Sequence, residues 1–166
     1  MKSHYTQFEK AVVNIGVGRL SSQPNFEDKV LPEIQKELST ITGQKPSPRL
    51  AAKSIAGFKL RAGTVVGLKV TLRGERMVSF LNRLVRITLP RVRDFRGIDL
   101  KSVDKNGNLT IGIKEQVVFP EIVPETSRVN FGMEITVVPK VVKSREQVIA
   151  TYRAIGIPFK KEGSNK

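Results

Sequence analysis

Val129, Phe131, Met133, Ile135 and Val137 occupy every second position without a break. A period of two puts all five on one face of a strand, so this stretch must lie half-buried in a sheet. Three further segments carry the same signal. Leu68, Val70 and Leu72 alternate with Lys69, Thr71 and Arg73; Val13, Ile15 and Val17 share a face opposite Val12 and Asn14. Leu109, Ile111 and Ile113 follow the hairpin dipeptide Asn106-Gly107. Residues 117–119 are expected to extend that strand or the next, and the two prolines of residues 44–51 (QKPSPRLA) suit an edge strand.

Between these segments the period changes. Phe26, Val30, Ile34, Leu38 and Ile41 recur at helical spacing, with Asn25 as N-cap and Gly43 just past the end. Pro32 either kinks this helix or stands at its first position, leaving residues 32–41 regular. Residues 75–88 predict a second helix, with Met77, Phe80, Leu81 and Leu84 on one side, Arg76, Arg83 and Arg86 on the opposite flank, and Pro90 as its stop. Ser144-Arg145-Glu146-Gln147 fits a capping box opening a third, which buries Val148, Tyr152 and Ile155 before Gly156 and Pro158. The sum is a single α+β domain over residues 1–166, a mostly antiparallel sheet with helices packed mainly on one face and flexible ends at 1–9 and 160–166. The other sheet face stays available.

Charge decides what that face can meet. Between Gly43 and Arg93 stand twelve basic residues and one acid, Glu75, so this window carries +11 of the net +14. Such a concentration calls for a polyanionic partner, nucleic acid or an anionic membrane. No apolar run approaches the ~18 residues of a membrane span, and the opening MKSHYTQFEK has no apolar signal region, so a membrane is not expected. An enzyme lacks its parts. There is no cysteine, His4 is the sole histidine, and no phosphate-binding GxxxxGK[ST] occurs. Gly16-Val17-Gly18 has Ser21 where a dinucleotide fingerprint needs a third glycine, and Asp94 between Arg93 and Arg96 reads as an ion-paired connection. Neither metal nor cofactor is expected.

Residues 53–77 (KSIAGFKLRAGTVVGLKVTLRGERM) concentrate the binding chemistry. Lys69, Thr71 and Arg73 form a comb of donors spaced about 6.6 to 6.8 Å along a strand, suited to phosphate and sugar oxygens. Asn14 is unusual in a strand and offers a donor and an acceptor held rigidly. Residues 53–67, with Gly57, Gly63 and Gly67 for freedom and Lys59 and Arg61 around Phe58, predict a long, mobile cationic loop. No helix-turn-helix, zinc-finger or zipper pattern supports DNA reading, and few aromatics argue against stacking of single-stranded bases. Folded RNA fits best. A general DNA-binding protein and an unrecognised enzyme are the competing readings.

VNIGVG (13–18), TGQKP (42–46), KSIAGFKLR (53–61), GLKVTLRGERM (67–77), LPRVRDFRG (89–97), GNLTIGIKEQVVFPEI (107–122) and IPF (157–159) occur here in one order. Together they resemble the family of the 5S rRNA-binding protein numbered five in the bacterial large ribosomal subunit, over residues 10–159. The resemblance implies a structural protein of the central protuberance, in the cytoplasmic ribosome, that holds 5S rRNA against the large-subunit rRNA and works without a second copy of itself. It implies 5S rRNA contacts at Asn14, Gln44 and Thr71, beside the cations Lys69, Arg73 and Arg49. The loop of Lys53, Ser54, Gly57, Phe58, Lys59 and Arg61 would reach peptidyl-site tRNA. The region after FPEI, with Glu121, Glu125 and Arg128, would approach a small-subunit head protein. Two departures stand out: the family usually has an extra helix before its first strand, and VPETSRV replaces the acidic and aromatic run often found after FPEI.

Overall fold

A computed structural model describes residues 5–21, 25–58, 60–141 and 144–160. Its five strands are β1 (Phe8–Gly16), β2 (Ser47–Leu50), β3 (Val65–Leu72), β4 (Leu109–Ile113) and β5 (Met133–Pro139), ordered β2-β3-β1-β5-β4 with every neighbouring pair antiparallel. The register aligns the apolar periods. Val13 lies opposite Val70 on one side and Ile135 on the other, and Ile135 opposite Ile111. All four are buried, as are Leu68, Leu72, Leu109 and Val137 on the same face. The helices cover that face, giving the α+β architecture. The β1 strand begins at Phe8 and the buried Tyr5 donates to Asn82 Oδ1, so order starts inside the stretch expected to be a flexible end. His4 and the tail beyond Lys160 lie outside the described residues.

Two helices run through prolines that the sequence marks as boundaries. Helix α1 (Leu31–Thr42) continues directly from a wide π-helical turn over Phe26–Val30, so Pro32, the second residue of α1, lies within a longer helical run and is not its first position. Asn25 does not cap through its side chain; it takes a left-handed φ of 58° instead. Helix α2 (Gly74–Arg83) continues through a π-helical turn, Leu84–Thr88, into a last α-turn, Leu89–Arg91, that contains Pro90. Pro90 therefore does not end it. In both cases the wider turn precedes the proline and takes up the missing N–H and the ring, which a regular α-turn would set against the carbonyl four residues back. Gly43, at φ 68°, closes α1 as expected.

Residues 116–131 depart furthest from expectation. Gln116–Val118 is a 3₁₀ turn, not strand, and β5 begins only at Met133 although the alternation starts at Val129. The backbone between is served by a side chain. Buried Gln116 accepts from Phe131 N at 3.0 Å through Oε1 and donates through Nε2 to Ser127 Oγ and the Val129 carbonyl. Gly132 lets the two segments touch: a Cβ there would lie 2.9 Å from the Ile113 carbonyl oxygen. Helix α3 (Arg145–Ala154) is capped by Ser144 Oγ, which accepts from Gln147 N, and it buries Tyr152 in a stack with Phe8, ring centroids 5.2 Å apart. Burial pushes the Tyr152 phenol above its usual range, and its hydroxyl lies within hydrogen-bond reach of the Gly107 and Val137 carbonyls.

Candidate nucleic-acid interface

On the helix-free face the register assembles polar rows across the sheet. Ser47, Lys69, Asn14, Glu134 and Gly112 form one row that crosses all five strands. The next row runs Thr71, Val12, Thr136 and Thr110. Arg73, exposed and extended at φ −136°, continues the comb just past the end of β3. Lys69, Thr71 and Asn14 are thus neighbours on one surface. The side chains of Asn14, Lys69, Thr71, Arg73 and Glu134 make no hydrogen bond or ion pair among the described residues. Their donors and acceptors are held by a sheet and left open to a partner.

Gln44 differs from the others. Its Nε2 donates to the Thr71 carbonyl oxygen at 3.2 Å, while Arg76 Nη1 donates to its Oε1 at 3.4 Å. It fastens the turn after α1 to β3. Arg49 is exposed on β2 opposite Gly67, the position next to the polar row.

The segment expected to be an open loop extends the β2–β3 hairpin. Ala51 N donates to Thr64 O at 2.8 Å, Gly63 N to Ala51 O at 2.9 Å, and Ile55 and Leu60 exchange bonds at 2.9 and 3.2 Å. Ser54 Oγ accepts from Ala62 N at 2.9 Å. Lys53, Ser54, Gly57 and Arg61 are exposed on this tip, whose end is a 3₁₀ turn at Ala56–Phe58. Lys59 and the Phe58 side chain lie outside the described residues.

Charges on the helical side are used internally. Arg83 Nε meets Glu121 Oε1 at 2.6 Å and Arg83 Nη2 donates to the Ile41 carbonyl at 2.9 Å, so Arg83 is not part of a free basic stripe. Glu121 is held inward with it. Glu125 and Arg128 are exposed, the latter donating its backbone N–H to Glu33 Oε1 at 3.1 Å. Asp94 makes no ion pair among the described residues; it is a turn residue at φ 55°, a conformation Asp tolerates. Glu134, an acid on the same face as Lys69 and separated from it by Asn14, is a member of this face that the sequence does not single out. Its only signal there is its place in the alternation.

Residues 6–61 match the family model for ribosomal protein L5, and residues 65–159 match the model for the C-terminus of the same ribosomal protein family. Among curated relatives, large ribosomal subunit protein uL5 of Halothermothrix orenii is 47% identical over 151 residues, 91% of this chain and 82% of the relative. The uL5 of Mycoplasma pneumoniae is 47% identical over 155 residues, 93% of this chain and 83% of the relative. That of Syntrophomonas wolfei is 48% identical over 152 residues, 92% and 83% of the two chains.

Proposed function

The chain belongs to the ribosomal protein L5 family, and from that membership we propose that it binds 5S rRNA through the helix-free face of its sheet. As a bacterial-type member it is a structural constituent of the large ribosomal subunit, in the ribosome of the cytoplasm, where it partners rRNA and catalyses nothing. The finer reading rests on one observation: Asn14, Lys69, Thr71 and Arg73 stand side by side, their side chains unpaired among the described residues, on a face that none of the described helices covers. Charged teeth take phosphates, and the neutral Asn14 and Thr71 take base or 2′-hydroxyl groups. Arg49 flanks them, and Gln44 sets the position of the Thr71 strand.

In this reading the protein attaches 5S rRNA to the large-subunit rRNA in the central protuberance. The β2–β3 tip, with Lys53, Ser54, Gly57, Phe58, Lys59 and Arg61, serves peptidyl-site tRNA. The loop of Glu125 and Arg128, steadied by the Arg83–Glu121 pair, meets a small-subunit head protein. Capture of RNA from a cell lysate on the tagged chain, followed by sequencing, tests the core of this. Enrichment of 5S rRNA is the expected result, and enrichment of genomic DNA or of unselected RNA would overturn it.

A further inference from the structure

Beside the polar row lies a row of missing side chains. Gly67 and Gly16 are opposite each other on β3 and β1, Gly132 stands just before β5 and two residues ahead of Glu134, and Arg49 stands at the outer end opposite Gly67. They floor a hollow of about 580 Å³, walled by Asn14 and Glu134. Two of these glycines have reasons within the fold. A Cβ on Gly67 would lie 3.1 Å from the Ile15 carbonyl oxygen, and Gly132 is closed by Ile113. Gly16 has none: its φ is ordinary, and a Cβ there would meet nothing within 4 Å. The same holds for Gly112, directly opposite Glu134 on β4. Glycine weakens a strand, so a strand glycine that no packing requires points to close approach by another molecule.

The walls define what that molecule offers. Glu134 is an acceptor-only group with no hydrogen bond or ion pair among the described residues, and Asn14, its cross-strand partner, carries two donors. The two side chains stand about 4.5–5.5 Å apart at Cβ, as cross-strand pairs do, which is on the scale of a base edge. Resting on the RNA-binding reading above, we propose that the hollow holds an unpaired guanine, its ring on the glycine floor and its Watson–Crick edge against Asn14 and Glu134. Guanine alone presents two adjacent donors, N1–H and the N2 amino group, to the two carboxylate oxygens. Adenine and cytosine set a ring-nitrogen acceptor beside their amino group, and uracil flanks its one N–H with carbonyls. The Asn14 amide donates to O6, and Arg49 meets the sugar–phosphate at the open end. Glu134 is then the residue that selects the base, in a surface whose other charges only attract backbone.

The sign of one substitution separates this from plain electrostatics. Removing an acid from a basic face should strengthen RNA binding, whereas removing a guanine receptor should weaken it. The test is equilibrium binding of the full chain to a 5S rRNA transcript at fixed salt, for wild type, Glu134→Gln and Gly16→Ala, with folding checked by thermal melting. Glu134→Gln should bind about tenfold or more weakly, and Gly16→Ala several-fold more weakly with a melt at or above that of wild type. Replacing each unpaired guanine in turn by inosine, which lacks the N2 amino group, should find one site that weakens wild type but not Glu134→Gln. Equal or tighter binding by Glu134→Gln, or no such inosine site, overturns the guanine pocket while the RNA reading stands. Failure of the wild-type chain to bind the transcript overturns both.

Discussion

The side-chain amide of Gln44 donates to the carbonyl oxygen of Thr71 at 3.2 Å and accepts from Arg76, joining the end of α1 to the strand that carries the donor comb. Both residues are expected at the RNA surface, yet the polar atoms of Gln44 are engaged within the chain. Its part is to fix where Thr71 and Arg76 stand. Gln44→Ala and Thr71→Val should therefore be coupled: in a double-mutant cycle on 5S rRNA affinity, their effects should miss additivity by about 0.5 kcal/mol or more. Additive losses would make Gln44 an independent contact.

Asn14 faces solvent between Lys69 and Glu134 and its side chain makes no bond among the described residues. Valine suits a strand better than asparagine, so Asn14→Val should fold with at least wild-type stability. It should nonetheless lose about 1 to 3 kcal/mol of RNA binding, because a desolvated RNA group is left without its partner. Circular dichroism and a binding isotherm on the same sample check both halves, and unchanged affinity removes Asn14 from the interface.

Arg73 and Arg83 stand at opposite ends of α2 and in opposite roles. Arg73 is exposed at the end of the comb; Arg83 is paired with Glu121, whose second oxygen is buried without a partner among the described residues. Arg73→Ala should lower affinity and flatten the log–log salt slope by roughly 0.7 to 0.9 while leaving stability alone. Arg83→Ala should keep the slope and cost about 1 to 3 kcal/mol of folding free energy, since the pair is only partly screened from water. Denaturant melts and salt titrations of the two variants would exchange these outcomes if the assignment were inverted.

The strands were legible because their period survives burial: Val13, Val70, Ile111 and Ile135 meet across the register their alternation predicts. What escaped reading has no period. Pro32 and Pro90 look like boundaries because a regular α-turn rejects them, and only the three-dimensional chain reveals π-helical turns that accept them. Residues 117–119 read as strand because nothing local tells that the amide of Gln116, just before them, will meet Phe131 and Val129 fifteen and thirteen residues on. In the site, Asn14, Lys69, Thr71 and Arg73 stood out as polar residues on regular strands. Glu134, Gly16 and Gly112 did not, because their meaning comes from neighbours on other strands.

Gln116 also carries a stability prediction. It is buried, and it satisfies the Phe131 N–H and the Val129 carbonyl that no strand partner reaches. Gln116→Met keeps the length and the apolar packing but orphans the Phe131 N–H and leaves the Val129 carbonyl with the Ser127 hydroxyl at 3.3 Å. A loss of about 1 to 3 kcal/mol in urea unfolding is expected, from one unsatisfied donor. A variant as stable as wild type would mean that water reaches that N–H without cost.

The β2–β3 tip should be separable from 5S rRNA binding. Its ladder is closed at Ile55 and Leu60, and the 3₁₀ turn Ala56–Phe58 lies beyond that bridge. Replacing residues 56–59 by Asn-Gly would reconnect Ile55 and Leu60 through a two-residue type I′ turn, the connection that suits strand twist best. The bonds of Ala51 with Gly63 and Thr64, and of Ser54 with Ala62, would be untouched. The open face with Asn14, Lys69 and Thr71 would also be untouched, so affinity for a 5S rRNA transcript should stay within a few-fold of wild type. Ribosomes assembled with the shortened chain should retain peptidyl-site tRNA less well, because the turn beyond the bridge is gone. If the shortened chain instead loses 5S rRNA while tRNA retention is normal, the tip belongs to the 5S rRNA interface and the tRNA assignment falls.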